Sequence, residues 1–430
     1  MITVLLFVGV LSFLILIHEG GHLLAAKLSG VWVHQFAIGF GPDLAKFESG
    51  ETTYSLKPIL FGGYVKMAGE DISEDGDVDE EVPEGRKYYA QNPLRKIFIA
   101  SSGPLMNVLA AILIMIFLVG STGVPTIGVY DILSDSPSRE VLSVGDRILG
   151  VGGRQITSIR DINAVIQQNE DTPVTVTLRG EEGQKEVTVT PKYYAEEGRY
   201  MLGVSLGPAG NTRIAHVRED SVFRQAGLRP GDRVLQVGDR TVSSWAEFLS
   251  LFREDDKSSP LELTVERGEQ ESQLELPRTV VRSEVLESLS PEIIRRSIGP
   301  VTSIRLGLDQ IRTILIVTYQ GLRMVIAGDV PAREAVSGPV GIANYLGQGL
   351  EQGIYSLFTM IALISLNLGI INLIPFPALD GSRIGFALYE GLRGRPIPPE
   401  REGFIHTIGF VILLALLIFL TYQDILRLIS

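Results

Sequence analysis

The sequence predicts a polytopic α-helical membrane protein with four spanning helices and two β-rich modules inserted between the second and the third. Three observations predict it. The 430 residues are 45% hydrophobic with a positive mean hydropathy; the apolar residues gather into four runs, each near the ~20 residues that a helix needs to cross a bilayer; and one stretch of the middle segment recurs further along. The runs are Ile2 to Leu24, Phe98 to Gly120, Ile354 to Leu373 and Phe404 to Leu420.

The first run reads as an uncleaved helix rather than a secretory signal, because Met1 and Ile2 give no basic leader and the apolar stretch continues past two histidines without a cleavage site. Basic residues beside helix ends set orientation. Lys27, Arg95 and Lys96 flank the first loop, and Arg383, Arg393, Arg395 and Arg401 occupy the last. Both loops are therefore expected on the cytoplasmic side, with 121–353 and both termini opposite. A net charge of −12 with no basic stripe argues against a nucleic-acid partner. The absence of cysteine excludes disulfides and thiolate metal ligands.

After the first span, Thr52 to Met67 alternates as strands do, with Gly62-Gly63 as a bend. The acidic run from Glu70 to Gly85 reads as a solvated mobile loop. In the middle segment, SVGDRILGVGGRQITS (Ser143 to Ser158) matches RPGDRVLQVGDRTVSS (Arg229 to Ser244) at an offset of 86 residues. Each copy is followed by a short helical stretch and a β-rich segment, from Pro173 and from Pro260. The repeat resembles a tandem of PDZ domains, small β-sandwich modules of α+β class that can take an extended peptide on a sheet edge. Further on, Ile311 to Asp329 has apolar residues at helical spacing, but Arg312 and Arg323 argue against a span. An amphipathic helix in the membrane interface is expected. The resulting organisation is 1–120 for the first two spans and their loop, 121–195 and 196–280 for the two modules, 281–353 for interfacial helices, and 354–430 for the last two spans.

The stretch ILIHEGGHLLAAK, Ile15 to Lys27, carries the chemistry. Ionisable groups at bilayer depth cost about 2.5–3.5 kcal/mol each and mark function. His18 and His22 are four apart, about 40° on a helix, so both face one way. Two imidazoles on one face can ligate one metal ion, while Glu19 beside them can take a proton from water; this is the HExxH pattern of zinc peptidases. Catalytic zinc has three protein ligands and one open position, so a third ligand is required. His34 directly follows the helix, His216 falls in the second repeat, and His406 begins the fourth span. Asp380, in NLIPFPALDGSR (Asn372 to Arg383), follows a proline-interrupted helix end, where irregular backbone at membrane depth is tolerated if it lines a polar cavity. By pattern alone, His406 and Asp380 both stay open.

HEGGH, GFG at Gly39 to Gly41, FGGYVKMAGE at Phe61 to Glu70, SSGPLMN at Ser101 to Asn107, SGPVGI at Ser337 to Ile342 and NLIPFPALDG occur in this order over nearly the whole chain. Together with the repeat, they resemble the site-2 protease family of intramembrane zinc metalloproteases, in particular its Gram-negative regulator-of-sigma-E branch. The resemblance implies one Zn2+ per chain held by His18, His22 and Asp380, with Glu19 as catalytic base. It implies that Asn367 and Asn372 hold the substrate backbone. It also implies that Tyr54 to Met67 forms a membrane-associated β-hairpin offering a strand edge to unwound substrate through Tyr54, Gly62, Gly63, Tyr64, Val65, Lys66 and Met67. One departure is Gly20, where many relatives have a bulky apolar residue; a helical glycine costs about 1 kcal/mol.

The expected activity is peptide-bond hydrolysis inside the bilayer, on single-span membrane proteins whose outer domain has already been cut. The resemblance implies an anti-sigma factor and remnant signal peptides as substrates and the bacterial inner membrane as location; on the same hypothesis the PDZ pair acts as a size filter on the periplasmic side. An alternative of a different class is a membrane-anchored PDZ adaptor with a structural metal and no catalysis. A transporter is disfavoured by four spans without an inverted repeat.

Overall fold

The computed structural model describes residues 2–70, 81–180, 183–252, 261–277, 280–331, 337–395 and 397–429. Most of the acidic run expected as a mobile loop, 71–80, lies outside them. The chain divides into two compact units, one of Met1–Val119 with Val301–Ser430 and one of Gly120–Pro300.

In the first unit, four helices are long and apolar enough to cross a membrane: Ile2–Leu28, Pro93–Thr122, Ile354–Asn372 and Arg401–Arg427. The first continues past its expected end at Leu24 to Leu28. It stops where Gly30 takes a left-handed φ of 80° and the Val31 N–H closes back on the Ala26 carbonyl at 3.0 Å, an ending that glycine permits without a Cβ penalty.

Between the first two spans lie β1 (Val33–Phe40), β2 (Ala45–Ser49), β3 (Thr52–Leu56) and β4 (Ile59–Met67), in one sheet of order β2-β3-β1-β4. Here the β-hairpin expected over Tyr54 to Met67 is corrected. β3 and β4 do not pair, since β1 lies between them, parallel to β3 (Phe36 opposite Tyr54) and antiparallel to β4 (Ala37 opposite Tyr64). Gly62 and Gly63 are inside β4 rather than at a bend, and the turn falls at Lys57-Pro58. Alternation identifies strands but not their neighbours. β4 is an edge strand resting on the first span, where Ser12 Oγ donates to the Leu60 carbonyl at 3.1 Å.

The helix Pro300–Ala327 meets the second span where Gly307 faces the Ile116 backbone. Its Ile311 and Ile314 join Ala111, Met115, Leu118, Ala362 and Leu366 in one apolar cluster, while Val317, Tyr319 and Leu322 are exposed. The helix Pro339–Glu351 is too short to span and packs on the first span through Leu346, Phe7 and Leu14. The Gly341 N–H at its start donates to buried Asp424 of the fourth span at 2.7 Å. A Cβ at Gly338 or Gly341 would lie within 2.8 or 3.1 Å of that carboxylate, which accounts for both glycines of SGPVGI.

The second unit holds two sheets of the same topology. One runs Gly183–Val189, Val174–Gly180, Arg147–Val151, Ile127–Ile132, Val204–Pro208; the other runs Gln270–Leu276, Leu261–Arg267, Arg233–Val237, Gly210–Val217, Leu289–Ile293. The repeat is structural to the level of single hydrogen bonds. Asp146 accepts from the Ser143 N–H at 2.9 Å and Asp232 from the Arg229 N–H at 2.8 Å, and the intervening Gly145 and Gly231 both have φ of 94°. Each sheet runs past its expected boundary, at 195 and at 280. The closing strands Val204–Pro208 and Leu289–Ile293 come after an intervening hairpin or helix, and their partners are distant in sequence. The first core is aliphatic; the second is built on Phe223, Trp245, Phe248 and Phe252.

Candidate metal centre

The helix carries His18 and His22 on one buried face, with their Nε2 atoms 3.2 Å apart. Asp380 opens the helix Asp380–Arg393 and brings Oδ2 to 3.1 Å from His18 Nε2 and Oδ1 to 3.4 Å from His22 Nε2. Among the described residues, these three form the one group of His, Cys, Asp or Glu able to hold a metal ion. Zinc bonds of 2.0–2.1 Å in a tetrahedron place donor atoms about 3.3 Å apart, so the separations fit a zinc site with a position to spare.

The surroundings fit as well. His22 Nδ1 is 2.8 Å from the Ile99 carbonyl, which can only accept; the proton sits on Nδ1 and the Nε2 lone pair points inward. His18 Nδ1 is 3.1 Å from the side-chain amide of Asn107, a fully buried residue. Asn107 Oδ1 has no hydrogen-bond partner among the described residues. With the amide's oxygen end turned to Nδ1–H, that orphaned atom is satisfied and His18 also presents a bare Nε2. Such outer partners orient metal-binding histidines.

Three glycines make the centre sterically feasible. A Cβ at Gly103 would lie 2.2 Å from His22 Nε2, one at Gly21 2.5 Å from the Ser102 carbonyl oxygen, and one at Gly381 2.2 Å from the Ile374 carbonyl oxygen. Gly20, the departure noted above, has nothing within 4 Å, so a side chain there would be accommodated. Asn107 and Gly103 were not singled out by sequence reasoning. Their signal was SSGPLMN, a polar island inside an apolar span.

A cleft of about 610 Å³ opens on this centre and is lined by His18, Glu19, His22 and Asp380, by Gly62, Gly63, Tyr64, Val65, Lys66 and Met67 of β4, and by Asn372. Gly63 approaches Glu19 so closely that a Cβ would be 3.1 Å from Glu19 Cγ. Two expected residues are elsewhere. Tyr54, two strands removed on β3, stacks on Phe47 at 4.9 Å and accepts from Lys27 Nζ at 3.3 Å. Asn367 is not among the lining residues; five positions from Asn372, it is about 140° round the helix, and its Oδ1 is buried without a hydrogen-bond partner among the described residues. His34 and His406 line the cleft without joining the metal-binding group. His216 belongs to the other unit, in Gly210–Val217. The Asp380 helix is tied down by ion pairs from Arg383 to Glu70 and from Glu390 to Lys96.

Residues 6–416 match the model of peptidase family M50. The chain is 31% identical to "Zinc metalloprotease RasP" of Oceanobacillus iheyensis, covering 100% of both chains. It is 30% identical to the RasP of Geobacillus kaustophilus over 98% of this chain and 97% of that one. To "Regulator of sigma-E protease RseP" of Salmonella typhimurium it is 31% identical over 98% of each.

Proposed function

The chain belongs to peptidase family M50 and is an intramembrane zinc metalloendopeptidase, and from that premise we propose that His18, His22 and Asp380 hold one Zn2+ and that Glu19 is its catalytic base. The observation that carries the assignment is the convergence of three donor atoms at 3.1–3.4 Å. Bound zinc supplies Lewis acidity toward the scissile carbonyl and brings the pKa of water toward 7. Glu19, facing the same cleft, takes the proton of the attacking water and returns it to the leaving amine.

A peptide bond within a substrate helix is hydrogen-bonded and covered, so the substrate unwinds before attack. The outer edge of β4, from Gly62 to Met67, replaces the lost helical hydrogen bonds by strand addition. Asn372 then holds a substrate carbonyl beside the metal. Gly62 and Gly63 serve close approach, because neither projects a side chain over the edge.

The repeat unit is read as two PDZ domains on the periplasmic face of the inner membrane, with the loops bearing Lys27, Arg95, Lys96, Arg383, Arg393, Arg395 and Arg401 in the cytoplasm. The β1–β4 sheet is associated with the membrane, and the helix Pro300–Ala327 lies at the interface. The PDZ pair filters by size, admitting single-span stubs left by an earlier cut, such as an anti-sigma factor or remnant signal peptides. A non-catalytic adaptor is disfavoured, since structural zinc takes four protein ligands and three converge here.

The test is cleavage of a tagged single-span substrate with a short outer stub by the purified protein in detergent. Cleavage that Glu19→Gln and a zinc chelator each abolish supports the proposal; equal cleavage by zinc-loaded Glu19→Gln rejects Glu19 as base.

A further inference from the structure

Asp380 reaches the metal centre through the bend from Leu373 to Leu379, which contains Pro375 and Pro377 and therefore has few backbone donors. The Ile374 N–H bonds back to the Ile371 carbonyl, Phe376 to Ile374, and Leu379 to Phe376. Of these, the Ala378 N–H is the one that reaches a different helix, donating to His406 Nδ1 of the fourth span at 3.1 Å. Ala378 is also one of two described non-glycine residues with positive φ, at 72°, a conformation with a Cβ penalty. One turn beyond His406, Gly409 gives room to the Pro377 carbonyl: a Cβ there would be 2.3 Å from the oxygen. The fourth span thus meets both the carbonyl and the N–H of one peptide group, Pro377–Ala378, two residues before the ligand.

His406 also packs on its surroundings. Because Nδ1 accepts, the ring proton is on Nε2, which is 3.9 Å from Glu402 Oε1 one helical turn earlier, too far for a hydrogen bond. The ring stands edge-on to Phe386 of the Asp380 helix at 5.7 Å. By type His406 is a metal ligand, yet the Ala378 N–H occupies one of its nitrogens and it stands outside the ligand group.

We propose that His406 is a positioning residue for the metal centre: by accepting the Ala378 N–H it holds the bend in its left-handed conformation and so fixes the Asp380 carboxylate against His18 and His22. This rests on the reading of those three residues as ligands. The acceptor, not the ring's bulk, is what the site uses.

The test measures Zn2+ affinity of the full chain in detergent by competition with a chromophoric chelator, and the visible absorption of its Co2+ form. Loss of an outer partner of a metal ligand costs 10–100-fold in affinity. His406→Leu and His406→Phe, the second keeping ring packing on Phe386, should each weaken Zn2+ by about 10–100-fold and shift the Co2+ bands, while His406→Asn, whose Oδ1 stands near the place of Nδ1, should stay within about threefold of wild type. His18→Ala marks loss of a ligand. Wild-type affinity and spectrum in the folded Leu and Phe variants, with metal lost in His18→Ala, overturns the role of His406. So does a loss in His406→Asn equal to that in His406→Leu. Wild-type affinity in His18→Ala overturns the ligand reading itself, and this proposal with it.

Discussion

Gly103→Ala places a single methyl against the metal centre. The added Cβ would stand 2.2 Å from His22 Nε2 and 2.7 Å from both Cδ2 and Cε1, where contact needs about 3.4 Å, so the ring must retreat by about 1 Å. It cannot do so freely, being held at Nδ1 by the Ile99 carbonyl at 2.8 Å and set 3.2 Å from His18. Overpacking of this kind costs about 1–3 kcal/mol, and a displacement of about 1 Å at a reacting centre costs about 100-fold in rate. Gly103→Ala should therefore keep its fold, bind Zn2+ at least tenfold more weakly on the scale of lost ligand support, and cleave the single-span substrate about 100-fold more slowly. Affinity is read by chelator competition and turnover by gel. Gly20→Ala is the matched control, since nothing lies within 4 Å of its Cβ; it should leave both unchanged and raise stability by about 1 kcal/mol. Wild-type zinc affinity and turnover in Gly103→Ala would refute the steric argument.

Glu19→Gln should retain zinc by elemental analysis while losing about 10²–10⁴-fold in cleavage rate; loss of zinc instead would make Glu19 a structural element of the site. In the repeat unit, Gly231→Ala should cost about 1–3 kcal/mol from backbone strain alone, because its surroundings are open, whereas Gly145→Ala should cost more, its Cβ falling 2.7 Å from both Ser244 Oγ and Glu247 Oε1; thermal melts of the two variants decide. Asp232 is buried, which opposes its charge, but bonds from Arg267 at 2.7 Å and the Arg229 N–H lower its pKa. A carboxyl lowered on folding stabilises above its unfolded pKa of about 3.9 and loses that contribution as pH falls through the folded value. Acidification from about pH 5 should thus lower the melting temperature followed at Trp245, and Asp232→Asn should reduce stability by about 1–3 kcal/mol at neutral pH and flatten the acid dependence; an undiminished slope would show that other carboxylates dominate.

Much of this protein was written locally. HEGGH specifies its own geometry, because a helix brings positions four apart to one face, and four apolar runs specify four helices because a bilayer requires their length. The repeat was equally legible, since Gly145 and Gly231 meet the same demand of a left-handed turn. Asp380 needed the family resemblance, as nothing in NLIPFPALDGSR states what it faces.

Tertiary structure decided what depends on neighbours from distant segments. Tyr54 and Tyr64 look alike along the strand pattern, but β1 separates their strands and only Tyr64 reaches the cleft. Asn372 lines it while Asn367 is turned away by helical phase. Asn107 supports His18 from 89 residues further along the chain, Gly103 makes room for His22, and His406 holds the bend that delivers Asp380. Periodicity records which face of an element is buried, whereas the partner across that face is chosen by packing and hydrogen-bond satisfaction among segments that meet only in the folded chain.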